Sequence, residues 1–146
     1  MTARILDVRY HLLLPDVSLV GSPLDYYQWG ALLKSLSGFE TYRRKYHGGI
    51  RPIDVVEFAV LNPDFPRSLA YCVDNMGRAL ARIGVVPDSP VDKATRALHA
   101  HLADVSPRAN LDQGLHEYLE KFLTLLARLT EALQGDYFEA HLGDAD

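Results

Sequence analysis

The segment DFPRSLAYCVDNMGRALARIG, residues 64–84, decides the fold class because its apolar residues recur at helical spacing. Apart from one adjacent pair, they stand three or four positions apart, and they form one stripe: Leu69, Cys72, Val73, Met76, Leu80 and Ile83. Gly84 follows the stripe in the position of a helix C-terminal cap. Gly77 lies inside the stripe, where glycine costs about 1 kcal/mol relative to alanine, and this indicates a close contact with another helix. The segment therefore predicts a helix with one buried face.

The same period continues along the chain, and alternating runs of strand length are absent from the sequence. Serine followed by proline at Ser22 and Ser89, with an aspartate three residues after each serine, is typical of a helix start. Gly38 interrupts the second helix as a break or a kink. The predicted helices cover residues 2–14, 22–47, 52–62, 89–102 and 111–135, together with the stripe of residues 69–83 that ends at Gly84. The sequence predicts an all-α fold, a bundle of about six to seven helices.

Length and composition indicate one domain over residues 1–146, with an acidic tail from about residue 136 that we expect to fray. The net charge of −4 and the pI near 5.8 disfavour nucleic-acid binding. The single cysteine, Cys72, allows no internal disulfide and suits a reducing compartment. No apolar run has a membrane-spanning length, and the N-terminus lacks the pattern of a signal peptide. We expect a cytoplasmic protein that binds neither nucleic acid nor membrane.

The first helix carries a cation, a carboxylate and an imidazole on one face. Arg4, Asp7 and His11 stand at positions i, i+3 and i+7, within reach of one another. The group could act as an acid–base site, but such spacing is more often a solvated ion-pair face.

The histidines do not form a recognisable metal motif. His116 and Glu120 share a helix face at i and i+4, which makes half of a metal site. A surface pair explains them as well, so we expect no metal and no cofactor.

The string TYRRKY, residues 41–46, places adjacent arginines between tyrosines. Arg43 and Arg44 could hold a phosphate or a carboxylate by bidentate contacts, with Tyr42 beside them. Exposed cations on a helix anchored by its tyrosines account for the same pattern. Both interpretations stay open at this point.

Glu57 interrupts the apolar run VVEFAVL, residues 55–61. A carboxylate buried there must be paired, protonated or directed into a polar cavity. Arg67 is the predicted partner, and a structural ion pair is the commoner explanation. The sequence has no glycine-rich phosphate loop and no nucleophile elbow, so its motifs do not indicate a self-sufficient enzyme.

Four strings occur together and in order: TARILDVRYHLLLP, DYYQWGALLKSLSGFETYRRKY, IRPIDVVEFAVLNPDFPRSLAYCV and DQGLHEYL. Read together, they resemble the bacterial alpha-E domain family, a domain of unknown function. The resemblance covers most of residues 2–120.

This resemblance implies an all-helical protein, usually about twice this length, encoded beside circularly permuted ATP-grasp and transglutaminase-like proteins. Those neighbours imply a system that ligates or modifies peptides. The family's helices of the type LERAD precede the equivalent of Thr2, so the chain resembles the C-terminal half only. We therefore expect residues 1 to about 4 to fray or to be held by another chain, and we expect exposed apolar surface that invites a partner.

Three hypotheses follow. The first is a scaffold or accessory component that binds an ATP-grasp or transglutaminase-like protein, an N-terminal half-domain or a peptide. Its candidate contacts are Arg43, Arg44, Glu57, Arg67, Tyr42 and Trp29. The second is an enzyme in which Glu57 and Arg67 converge on one cavity with Asp7 or His116. The third is a homo-oligomeric bundle that buries the apolar sides of the first and last helices in a symmetric interface.

Overall fold

The computed structural model describes residues 1–12, 22–104 and 114–139. Seven α-helices lie in this part of the chain: α1 Thr2–Leu12, α2 Pro23–Ser35, α3 Phe39–Lys45, α4 Pro52–Leu61, α5 Leu69–Ile83, α6 Pro90–Ala103 and α7 Leu115–Leu133. The π-helical segment Gln134–Glu139 continues α7. These ranges contain no strand, and the all-α prediction is confirmed. None of these helices is both long and apolar enough to cross a membrane.

Serine side chains cap three of the helix starts. Each hydroxyl accepts the backbone N–H of the residue three positions later: Ser22 from Asp25, Ser68 from Tyr71 and Ser89 from Asp92. The two serine–proline starts were predicted, and both are confirmed. The end of α5 is also as predicted, because Gly84 has a left-handed backbone with φ of 84°.

The interruption at Gly38 is a break between two helices rather than a kink. Helix α2 ends at Ser35, and α3 begins at Phe39. Ser37 between them has a positive φ of 54°, a conformation that a continuous α-helix does not contain. The Arg67 guanidinium donates hydrogen bonds to the Leu36 carbonyl and to Ser37 Oγ, which holds the connection in place.

Helix α4 is the central element of the fold. Its residues Val55, Phe58 and Ala59 have no exposed surface, and the helix contacts α1, α2 and α5. The ring of Phe58 stacks on Phe65 at 4.4 Å between centroids and meets Tyr42 edge-on at 5.6 Å. These rings join α3, α4 and the turn before α5 into one core.

The stripe predicted on α5 is buried only in part. Leu69, Val73 and Leu80 are buried, but Cys72 and Ile83 are exposed, so the prediction was wrong for those two. The three buried residues follow the i, i+4, i+11 register of one line along the helix, which faces α4 and α6. The other two are rotated off that line towards solvent.

Gly77 marks a close approach of α5 and α6, as predicted. A Cβ atom placed there would lie 2.9 Å from Nε2 of His99 on α6. Helix α6 packs on α7 along its other side, and α1 packs on α7 in turn. The buried residues of α7 form one apolar side of that helix: Leu115, Tyr118, Leu119, Phe122 and Leu129.

The first turn of α1 is tied down, so of the two alternatives predicted for residues 1 to about 4, fraying was wrong, and contact with another chain stays a prediction. The Thr2 hydroxyl donates a 2.7 Å hydrogen bond to the Arg67 carbonyl, and Ala3 is 2% exposed. At the other end, the tail expected to fray is π-helical through Glu139, and Tyr137 packs against the core. Residues 13–14, 111–113 and 140–146 lie outside the described residues.

A histidine joins α6 to α7. His101 stacks on Tyr118 at 4.2 Å between ring centroids, and its Nε2–H donates to the Tyr118 carbonyl at 2.9 Å. Burial lowers the pKa of His101 below its usual value, and Lys121 lowers it further. The hydrogen bond to Tyr118 and the charge of Asp104 act in the opposite direction. The neutral imidazole is therefore the form that the fold favours.

We expect His101 to make the protein less stable as the pH falls. Since its pKa is lower in the folded protein than in the unfolded chain, the unfolded chain takes up a proton first below about pH 6.5. The contribution of His101 is complete above that pH and is lost as the pH falls through the folded pKa. Urea unfolding at pH 7.5, 6.5 and 5.5 should show a smaller loss of unfolding free energy for His101→Gln than for the native chain.

The matched control is His99→Gln, because His99 is an exposed histidine on the same helix. This variant controls for the removal of an imidazole from α6. What the remaining histidines contribute to the pH dependence of the unfolding free energy cancels when each variant is compared with the native chain. Equal pH dependence in the native chain and His101→Gln would contradict the assignment.

Candidate functional site

An aromatic pocket with one arginine lies between α2, α3 and the loop that follows α3. Its volume is about 530 Å³, within the range of roughly 300 to 1,000 Å³ typical of small-molecule sites. The lining residues are Tyr26, Phe39, Tyr42, Arg43, Tyr46, His47, Gly49 and Ile50. We call this cavity the aromatic pocket.

Tyr42 forms a rigid part of the pocket wall. Its side chain is buried, and its hydroxyl donates to the Gly49 carbonyl at 3.1 Å and accepts the Arg51 backbone N–H at 3.3 Å. Gly49 has a φ of 91°, a conformation that favours glycine, and this turns its carbonyl towards the tyrosine. Burial raises the pKa of Tyr42, so the phenol stays neutral. The loop after α3 is thereby fixed to the helix.

Arg43 supplies the positive charge of the pocket. Its guanidinium carbon lies 5.9 Å from the Phe39 ring centroid, and Lys34 Nζ lies 5.3 Å from the same centroid. In the described part of the chain, no carboxylate forms a salt bridge with Arg43. Arg44 is exposed and does not line the pocket. Of the two predicted arginines, only Arg43 is placed for an anion that enters here.

Tyr46 lines the aromatic pocket and also lies next to Glu57. Its ring stacks on Tyr42 at 4.7 Å, and burial together with the nearby Glu57 carboxylate raises its pKa to about 12. Glu57 itself is exposed, so the prediction that this residue is buried was wrong. Although α4 is buried on most sides, Glu57 lies on the side that meets solvent, and the carboxylate reaches water without crossing the core.

Arg67 does not pair with Glu57, and that prediction was also wrong. Its guanidinium is engaged by the Leu36 carbonyl and Ser37 Oγ, so it serves the connection between α2 and α3. Trp29 is 6% exposed and belongs to the core rather than to the pocket lining. The convergence of Glu57 and Arg67 that the enzyme hypothesis requires is therefore absent from these described residues.

A second group of polar residues joins α1 to α7. His116 Nδ1 and Asp7 Oδ1 lie 2.6 Å apart, with side-chain exposures of 31% and 20%. The hydrogen bond to Asp7 raises the pKa of His116 above its usual value. Ligand atoms of Asp7, His116 and Glu120 all lie within 4.8 Å of one another. The side chain of His11, predicted to share this face, lies outside the described residues.

An apolar groove of about 600 Å³ runs beside the same helices. It is lined by Met1, Arg4, Ile5, Val8, Leu123 and Leu126. Val8 is 53% exposed, so this side of α1 is apolar and open. The predictions of a partner chain or a second copy at α1 and α7 stay predictions.

Sequence reasoning found some members of these sites and missed others. Tyr42 and Arg43 were found because they are adjacent in one string. Tyr26 and His47 were missed, since no local pattern connects α2 to the loop after α3. Glu120 was assigned to a half-site with His116, and only the packing of α1 on α7 brings Asp7 to it.

Comparison with known proteins returns one family. The Alpha-E model, described as a predicted alpha-helical domain with a conserved ER motif, matches residues 1–138. No curated protein and no solved structure matches the chain. None of the glutamates in these 146 residues is followed directly by an arginine.

Proposed function

Because this chain belongs to the Alpha-E family of predicted helical domains, we propose that it is an accessory binding component of a bacterial, cytosolic, ATP-grasp-linked system that ligates or modifies peptides. In this role it holds a peptide by its carboxylate in the aromatic pocket. The observation that carries the proposal is that Arg43, a cation without a salt bridge in the described residues, lines a cavity with aromatic walls. Peptide-forming chemistry uses substrates that carry carboxylates, and this pocket suits one.

The charge around the pocket supports an anionic ligand. Lys34 and Arg43 flank the Phe39 ring, and Lys45 Nζ lies 6.0 Å from the Tyr46 ring centroid. A guanidinium binds a carboxylate by two parallel hydrogen bonds, which fixes its orientation as well as its charge. The flat faces of the surrounding rings suit an apolar or aromatic side chain next to that carboxylate. The ligand class is therefore a peptide with a free carboxylate and an apolar terminal residue.

A binding role is better supported than catalysis. The residues that the enzyme hypothesis brings together are separated, since Arg67 serves the α2–α3 connection and Glu57 faces solvent. The aromatic pocket has a tyrosine wall with raised pKa values and no paired acid and base among its lining residues. These features suit recognition of a ligand more than proton transfer.

The test is calorimetric titration with N-acetyl-Ala-Phe as the free acid and as the C-terminal amide. We expect the free acid to bind roughly ten- to a hundredfold more tightly, because a charge-assisted hydrogen bond contributes about 1.5 to 3 kcal/mol. Arg43→Gln should weaken binding of the free acid by the same factor. It should leave binding of the amide unchanged, since the amide has no charge for Arg43 to meet.

Arg44→Gln is the matched control, because it removes the same charge from the next residue outside the pocket. It should leave both affinities unchanged. Equal affinities for acid and amide would contradict the carboxylate site. Equal losses in Arg43→Gln and Arg44→Gln would show that general surface charge, and not the pocket, attracts the peptide.

The wider assignment has a separate test. We expect the chain to co-purify with the ATP-grasp protein encoded beside it, and the apolar groove of α1 and α7 is the surface we assign to that partner or to an N-terminal half-domain. Substitution of Val8 by aspartate should abolish the co-purification while the aromatic pocket still binds the free-acid peptide. Failure of the native chain to bind either partner would overturn the assignment to such a system.

A further inference from the structure

The strongest unassigned feature outside the aromatic pocket is the group formed by Asp7, His116 and Glu120. His116 and Glu120 stand one turn apart on α7, and Asp7 reaches them from α1. Their ligand atoms lie within 4.8 Å of one another, which is the spread that a single ion can gather with small side-chain movements. We propose that Asp7, His116 and Glu120 bind one divalent transition-metal ion that joins α1 to α7.

The arrangement of the three side chains suits an ion better than a hydrogen-bonded pair alone. Asp7 and His116 account for the 2.6 Å contact, but Glu120 brings a second carboxylate to the same place. Two carboxylates and one imidazole make a donor set that a divalent cation can coordinate. An ion bound here replaces the hydrogen atom between Nδ1 and Oδ1, and those two atoms then move apart to about 3.3 Å, the separation of two ligands in a tetrahedral site.

The donor set indicates the class of ion. One imidazole and two carboxylates favour zinc, manganese or iron in the divalent state, whereas magnesium and calcium prefer oxygen ligands alone. His116 and Asp7 are partly exposed, and Glu120 is exposed, so water can complete the coordination. Because the ligands come from two helices, a bound ion would also stabilise the packing of α1 on α7. The site uses other helices than the aromatic pocket and does not depend on the proposed function.

The experiment titrates the metal-free chain with zinc chloride in a calorimeter and follows thermal unfolding with and without zinc. We expect one ion per chain, at least tenfold weaker binding of magnesium and calcium, and a rise in Tm with zinc. Glu120→Gln and Asp7→Asn should each weaken zinc binding at least tenfold and remove the rise in Tm. Glu120 is exposed, so its substitution should leave the unfolding temperature of the metal-free chain unchanged.

Glu117→Gln is the matched control. Glu117 is an exposed carboxylate on the same helix, next to His116, but it is not part of the group. It should bind zinc with native affinity. Absence of zinc binding to the native chain, or an equal loss in Glu117→Gln and Glu120→Gln, would overturn the proposal.

Discussion

Replacement of Ser68 by alanine should lower the unfolding free energy by about 2 to 4 kcal/mol. The Ser68 side chain has no exposed surface and makes two hydrogen bonds. Its oxygen accepts the Tyr71 backbone N–H at 3.0 Å and caps α5, and its hydroxyl donates to the Asn62 carbonyl. Alanine removes the cap and also leaves the Asn62 carbonyl, in a residue that is 4% exposed, without this donor. Urea unfolding of the native chain and the variant measures the loss.

The serine that caps α6 gives the matched control. Ser89 accepts the Asp92 backbone N–H at 3.2 Å, so Ser89→Ala loses a cap of the same kind. The Ser89 side chain has no bond equivalent to the one that Ser68 donates to Asn62, and its loss should cost about 1 kcal/mol. The difference between the two losses of unfolding free energy measures the cost of leaving the buried Asn62 carbonyl without its donor. Equal losses for Ser68→Ala and Ser89→Ala would contradict the importance of that bond.

These caps also show which parts of the fold the sequence could predict. A serine followed by proline is a local signal, because both the capping hydroxyl and the fixed φ of the proline act within one turn. Ser22 and Ser89 were found in this way. Ser68 lacks the proline, and its bond to Asn62 spans the turn that joins α4 to α5. Such a bond depends on how two helices meet, which no local pattern contains.

The wrong predictions for Glu57 and Arg67 also arise because local sequence does not show how the helices pack. Apolar neighbours on both sides made Glu57 look buried, but the side chains of a helix point in all directions, and one narrow side of a central helix can still face water. Arg67 was assigned to Glu57 because it follows soon after in the sequence, beyond the Asn62–Pro63 turn. In the structure it donates to the Leu36 carbonyl, some thirty residues away, because α2 and the turn before α5 lie side by side.

Of the two candidate sites, one is formed by neighbouring residues in the sequence and the other by tertiary packing. Tyr42 and Arg43 lie on α3 and Tyr46 follows its last residue, so a single string was enough to suggest an anion site. Asp7 and His116 are 109 positions apart, and only the packing of α1 on α7 brings them to 2.6 Å. The sequence put His116 and Glu120 on one face of α7, while Asp7 joins them only through the tertiary fold.

Replacement of Gly38 by alanine should lower the unfolding free energy. It should lower it more than replacement of a glycine inside α2 by alanine. A Cβ at position 38 would lie 2.8 Å from Phe65 Cζ and 2.9 Å from Phe58 Cε1, closer than real Cβ contacts allow. The two rings stack on each other and are buried, with Phe58 0% and Phe65 3% exposed, so neither can move into solvent. Forcing a methyl group into such a core costs about 1 to 3 kcal/mol, and thermal or urea unfolding measures it.

Gly30→Ala is the matched control for Gly38→Ala. Its Cβ would lie 3.4 Å from Ile50 Cδ1, an ordinary contact, and alanine favours the interior of α2 by about 1 kcal/mol over glycine. We therefore expect the two alanines to change stability in opposite directions. A second substitution, Phe65→Leu, tests the cause: it removes the ring atom nearest to position 38, so the double variant should lose less than the sum of the two single losses. Strictly additive losses of unfolding free energy would mean that the new methyl group does not press on the Phe65 ring. They would contradict the assigned cause of the destabilisation.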